Sequence, residues 1–192
     1  MSAEEGQGRR RSDRITAPDF GENPSSLDID EVRRRRDDCL AEREYLSYLR
    51  RLLHGRVEIL RAEVKARADG VEIPLVDRLA AILGSDTPTG PSRGEALRLG
   101  LPEEEMNNAR RRVERLMASA AFSDPETMDD EALQRAIEAL TEEEKQVSAL
   151  RRTVMDLHDL FQGEMKRRYK ERLSSLPERV SAERLPKEPP ED

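Results

Sequence analysis

Residues 144–159 read EKQVSALRRTVMDLHD, and residues 43–58 read REYLSYLRRLLHGRVE. The two stretches stand 101 positions apart, and at that offset Ser148 falls on Ser47, Leu150 on Leu49, Arg151 on Arg50, Arg152 on Arg51 and Asp159 on Glu58. The register continues to Glu164 with Glu63, Lys166 with Lys65 and Arg168 with Arg67, without an insertion. An unbroken offset points to an internal repeat rather than to chance likeness between two charged helices.

On a helix each residue advances by about 100°. Glu144, Ser148, Arg151, Met155 and Asp159 then share one stripe, and Arg43, Ser47, Arg50, His54 and Glu58 share its equivalent. On the adjoining sector lie Val147, Leu150, Val154 and Phe161 in one copy, with Leu46, Leu49, Leu53, Val57 and Leu60 in the other. Each helix thus carries an apolar seam edged by a polar stripe, which lets two helices pack and leave a lined groove.

The sequence therefore predicts an all-α fold: an antiparallel two-helix coiled-coil hairpin with short connecting helices and disordered termini. Asp28 with Glu31 resembles a capping box and starts the first long helix, about 28–68, which Asp69 and Gly70 stop. At about 1.5 Å per residue it is roughly 60 Å long, too long to stand on propensity without a partner along its leucines. The second long helix, about 129–174, starts at Asp129 or Asp130, and Thr141 with Glu144 allows a kink near Leu140. Between them Pro74 opens a short helix that Gly84 ends, residues 85–94 form a loop, and Pro102 opens a helix to about Ala120. Met106, Ala109, Val113 and Leu116 form the inner face of that last helix. The domain reading is a polar tail over 1–26, with Arg9, Arg10 and Arg11 solvated, a helical domain over 27–176, and a proline-rich tail over 177–192.

Composition narrows the function classes. The chain has 192 residues, 39% of them charged and 3% aromatic, with no Trp, which favours long solvent-laced helices over a large conventional core. A net charge of -7 argues against a generic nucleic-acid binder and for no direct DNA contact. The single Cys39 excludes an internal disulfide framework and fits a reducing cytoplasm. No apolar run approaches a membrane span, and residues 1–26 lack the apolar core of a signal peptide, so the expectation is a soluble cytoplasmic protein. No Gly-Lys-Ser/Thr follows the loop glycines, and no nucleophile–base set stands out, so no enzyme is expected.

The ordinary reading of a Glu/Ser/Arg/Asp stripe is a solvated helix flank with i to i+4 ion pairs. The repeat shifts the balance. Ser47 lies 21 residues before Ala68 and Ser148 lies 19 after Asp129, so an antiparallel hairpin brings the two copies level as a pseudo-twofold site. An Arg can grip guanine O6 and N7, a carboxylate can accept from N1 and N2, and Ser with a second Arg can hold phosphate oxygens. Other candidates are weaker. His54 and Glu58 have i, i+4 metal spacing without further ligands. His158, Met106, Met117, Met155 and Met165 read as packing residues, and Cys39 as an inert part of the first helix's apolar sector. The acidic runs 103–105 and 142–144 read as solvated faces or caps, or as surfaces for a basic partner.

The stretch SYLRRLLHGRVEILRAEV, residues 47–64, resembles the first helix of RsiG-type anti-sigma factors of actinobacteria, also described as aerial mycelium formation proteins. That family's pattern is Glu, then Ser at +4, Arg at +7, Gln at +11 and Asp at +15, once on each helix of an antiparallel pair. The resemblance covers about 28–68 and 129–174. It implies that cyclic di-GMP is a regulatory ligand and that a WhiG-like sporulation sigma factor is sequestered, which controls transcription and development. The second copy keeps Glu144, Ser148, Arg151 and Asp159, with Met155 in place of Gln. The first keeps Ser47 and Arg50, with Glu58 for Asp, His54 for Gln and Arg43 for Glu. The alternative is a ligand-independent helical adaptor, with the stripe serving only solubility, or an anti-sigma protein whose degenerate motif no longer binds nucleotide.

Overall fold

A computed structural model of the chain describes residues 11–70, 101–119 and 125–174. Three helices make up most of it: α1 over Ile29–Ala68, α2 over Glu103–Ser119 and α3 over Asp130–Ser174. No strand occurs among the described residues. The readings for the short helix after Pro74, the loop 85–94 and the tail from 177 lie outside the described residues.

The two long helices begin alike. Asp28 caps α1 by accepting from the backbone N–H of Glu31 at 2.7 Å, and Asp129 caps α3 by accepting from Ala132 N–H at 2.6 Å. A 3-10 turn precedes each cap, Pro24–Ser26 before α1 and Pro125–Thr127 before α3. The expected capping box at α1 is only half made, because Glu31 pairs with Arg34 and Arg35. After α1, Asp69 N–H returns to Lys65 O, and Gly70 takes φ +64°, a left-handed conformation that suits glycine.

α1 and α3 pack antiparallel, as their cross-links show. Along α1 the side chains of Arg33, Arg36, Ser47, Arg50 and Arg67 meet Tyr169, Met165, Arg151, Glu144 and Asp130 in turn, so one number falls as the other rises. The seam between them is the one the periodicity indicates: Leu46, Leu49, Leu53, Val57 and Leu60 are buried against Val147, Val154 and Phe161, with Leu150 half-buried. Burying each such side chain contributes about 1.5–3 kcal/mol, and this holds helices of 40 and 45 residues where propensity alone would not. α3 runs as one helix through Leu140, without a new start at Thr141. Leu140 and Val147 are buried on either side of Thr141, whose hydroxyl is buried without a hydrogen-bond partner among the described residues instead of capping. α2 lies against α1 through the buried Ala109 and Val113, with Leu116 packed beside them.

Residues 11–26 depart from the expected disordered tail. Residues 11–15 are helical, and Ile15 and Phe20 are buried in the common core. Phe20 meets Phe161 edge-on at 5.6 Å, and Arg35 both covers the Phe20 ring and donates to its carbonyl. Gly21 lets this turn approach: a Cβ there would come within 2.7 Å of Leu157 Cδ2. Arg11, expected to be solvated, donates to Glu42 at 2.6 Å and to Glu105 on α2 at 2.9 Å. Two apolar residues and one arginine anchor a segment whose composition resembles a tail.

The repeat is also wider than the long helices. Arg11 with Glu42 and Arg112 with Glu143 are the same contact moved by 101 residues, each closing at 2.6 Å. Glu63 with Arg67 and Glu164 with Arg168 form a second such pair, at 2.9 and 2.6 Å. From there Arg67 reaches the carbonyls of Pro125, Glu126 and Met128, while Arg168 reaches those of Pro24, Ser25 and Leu27. Each long helix thus ends in an arginine that grips the turn opening the other. The described structure is a pseudo-twofold object whose halves clasp one another at both ends.

Candidate functional site

The middle of the hairpin brings four of the stripe residues together. Arg151 of α3 donates Nε–H to the Ser47 hydroxyl of α1 at 2.9 Å. One turn away, Arg50 of α1 meets Glu144 of α3 at 3.2 Å. These two links cross the seam in opposite directions, so the level placement of the copies that the helix lengths imply is realised. Ser47 donates its own proton to the Arg43 carbonyl at 2.7 Å, which leaves its oxygen as the acceptor for Arg151.

The remaining stripe residues stay within their own helices. Arg43 turns along α1 to Glu44 at 2.6 Å. Glu58 accepts from Arg61, and Asp159 lies 3.0 Å from His158 Nδ1. His54 is exposed, and Ser148 and Met155 are half-buried. His54 and Glu58 gather no third ligand, and among the described residues no group of three or more His, Cys, Asp or Glu is placed to hold a metal.

α2 occupies the other side of the seam. Arg112 reaches Glu143, which sits about 100° round α3 from Glu144, so α2 flanks the seam opposite the stripe. Arg110 and Arg111 of α2 bond neutral groups, Tyr48 and Asn108, and a further set of arginines without carboxylates lies near the stripe. Most described arginines meet a carboxylate, but Arg151 bonds only the neutral Ser47, Arg51 lies 6.0 Å over the Tyr48 ring, and Arg152 is exposed without a carboxylate partner. All three stand at one level of the hairpin. Positive charge lacking its counter-ion is therefore gathered where the two copies meet, and that arrangement suits a ligand with negative charge and planar acceptor edges.

Elsewhere the charges are spent on structure. Arg167, joined by Arg168 and opposed by burial, holds the Glu164 carboxyl down to about 2. Burial, reinforced by Asp38 and Glu42, pushes the Cys39 thiol up to about 12, which keeps it from acting as a thiolate nucleophile. Sequence reasoning missed the end clasps and the buried Glu42, Glu63 and Glu164. The signal was present: at the same offset of 101, GRRRSDRI at residues 8–15 matches ARRRVERL at residues 109–116.

No helix among the described residues is long and apolar enough to cross a membrane. No curated protein matches the chain. Residues 18–83 match the family model described as RsiG-like, a span that takes in the turn before α1, the whole of α1 and the first copy of the stripe. Over those residues, about a third of the sequence, the chain is similar to the RsiG-like family.

Proposed function

We propose that the protein is an anti-sigma factor whose grip on a WhiG-like sigma factor is set by cyclic di-GMP bound across the α1/α3 face. The observation that carries this reading is the cross-seam pairing of Ser47 with Arg151 and Arg50 with Glu144. It assembles both motif copies at one level and leaves the Arg151 charge without a carboxylate. In the bound state Arg151 and Arg50 grip guanine or phosphate acceptors, Ser47 and Ser148 bond phosphate oxygens, and Glu144 and Asp159 orient the arginines or accept from the guanine edge. Glu58 and Arg43 line the first-copy side, with His54 and Met155 at the glutamine positions. Control is linkage: a ligand that binds the hairpin better in its sigma-bound form strengthens that complex by its differential affinity, without chemistry on the nucleotide. The protein acts in the cytoplasm, where the nucleotide and the transcription machinery meet.

A ligand-independent helical adaptor draws support from the same contacts, because Arg50 and Glu144 satisfy one another unaided. Titrating the full chain with cyclic di-GMP, with and without a purified WhiG-like sigma factor, separates the two. Reciprocal tightening of nucleotide and sigma factor supports the regulated reading. Sigma binding indifferent to nucleotide supports the adaptor, and absence of sigma binding removes both.

A further inference from the structure

The pseudo-twofold that relates the two halves fails at one place in the stripe. Shifted by 101 residues, the pair Arg50–Glu144 becomes Arg151–Arg43, two guanidinium groups where an ion pair would stand. Neither can accept a hydrogen bond from the other. The structure shows the consequence: Arg43 turns along its own helix to Glu44, and Arg151 falls back on the Ser47 hydroxyl. Only Nε of Arg151 is engaged, so both of its Nη groups are free of protein partners among the described residues.

Resting on the cyclic di-GMP reading above, we propose that the Arg43, Ser47 and Arg151 half of the stripe is an anion site for one phosphodiester of a cyclic dinucleotide, while the Arg50–Glu144 half is closed on itself. The Nη edge of Arg151 presents a planar fork that fits two phosphate oxygens. Arg43 is held by an adjacent-residue ion pair with both side chains about 30% exposed, at 31% and 30%, a contact weak enough to exchange for phosphate. Arg51 and Arg152 edge the same level without carboxylates and add to the field that draws an anion in. On the other half the Glu144 charge is already neutralised by Arg50, so it does not repel the ligand. The half-sites thus differ in kind, and the two equivalent halves of the nucleotide meet unlike partners.

Calorimetric titration of the full chain with cyclic di-GMP tests this, with folding of each variant checked by circular dichroism. Arg43→Glu places a carboxylate beside Arg151 and is expected to weaken binding at least tenfold, and Arg43→Gln several-fold. Arg56→Gln, exposed on α1 away from the stripe, is expected to bind as wild type does. Tighter binding, or more nucleotide bound, in Arg43→Glu overturns the proposal in favour of two equivalent half-sites. Wild-type binding that ignores both Arg43 variants also overturns it but leaves the nucleotide reading standing. If the wild type does not take cyclic di-GMP, the same series is titrated with inorganic pyrophosphate. Arg43-dependent pyrophosphate binding then upholds the anion site while the nucleotide reading falls, and absence of binding removes both.

Discussion

The ends of the hairpin and its middle are built from the same repeat and treat it differently. At the ends, Glu63–Arg67 and Glu164–Arg168 keep the twofold down to the three carbonyls that each arginine grips. In the middle, Arg50 finds Glu144 but Arg151 finds only Ser47. The difference follows from what each region must satisfy. Both helix starts present the same carbonyls, left without partners by a 3-10 turn, so both need the same donor in the same place. The stripe faces away from the core, where the loss of a carboxylate leaves the packed seam intact. Folding keeps the ends symmetric, and the middle is free to diverge into an asymmetric site.

The largest expected effect lies at the ends. Arg168→Ala removes one of the two arginines on the buried Glu164 and releases the carbonyls of Pro24, Ser25 and Leu27, and Arg67→Ala removes the Glu63 ion pair and releases the turn before α3. Breaking such pairs costs about 2–3 kcal/mol each, below the fully buried limit because both guanidiniums keep some solvent contact. Urea denaturation of the two variants checks this. Equal losses support equivalent clasps, and a silent Arg67→Ala would confine the clasp to one end.

Next comes the segment before α1. Phe20→Ala removes a ring packed on Phe161 and is expected to cost about 3 kcal/mol. A change within about 0.5 kcal/mol in the same urea experiment would make residues 11–26 a passive tail after all.

The middle gives the third test. Arg151→Ala is expected to weaken cyclic di-GMP binding by about 1–3 kcal/mol, the scale of a lost bidentate arginine contact, and Arg50→Ala by less, since Arg50 is already paired to Glu144. Calorimetry that ranks Arg50→Ala above Arg151→Ala would reverse the assignment of the two halves.

What the sequence disclosed and what it hid divide along physical lines. The Leu46 to Leu60 seam, the Asp28 cap, a second helix start at Asp129 or Asp130 and the level placement of the two motif copies were legible, because helical periodicity and cap chemistry are local and repeat along the chain. Residues 11–26 were not, since Phe20 packs on Phe161, some 140 positions away, and Ile15 is buried in the same core. The possible capping box at Thr141 and Glu144 is a local signal that the continuous α3 does not use, with Leu140 and Val147 buried on either side of it. At the stripe, residue types indicated the chemistry but not the pairing. That Arg43 would turn to Glu44 rather than across the seam depends on the absence of an acceptor on the facing helix.

The smallest effect sharpens the comparison by pH. Glu164 is held to about 2 by Arg167 with help from Arg168, well below the ordinary carboxylate range near 4.3. A carboxyl whose folded value is depressed contributes stability that is fully present above its unfolded value and is lost as pH falls toward the folded value. The clasp at the Arg168 end should therefore weaken between about pH 4.5 and pH 2 and be indifferent to pH between 5 and 8. Glu164→Gln removes the titrating group while keeping an acceptor oxygen. The stability gap between wild type and Glu164→Gln, followed by thermal unfolding at stepped pH, is expected to be constant near neutrality and to close on acidification. A gap that stays open at pH 2.5 would mean that Glu164 acts through the shape of its side chain rather than its charge. The clasp would then be a packing feature in which the arginine's carbonyl contacts, not the buried ion pair, hold the turn.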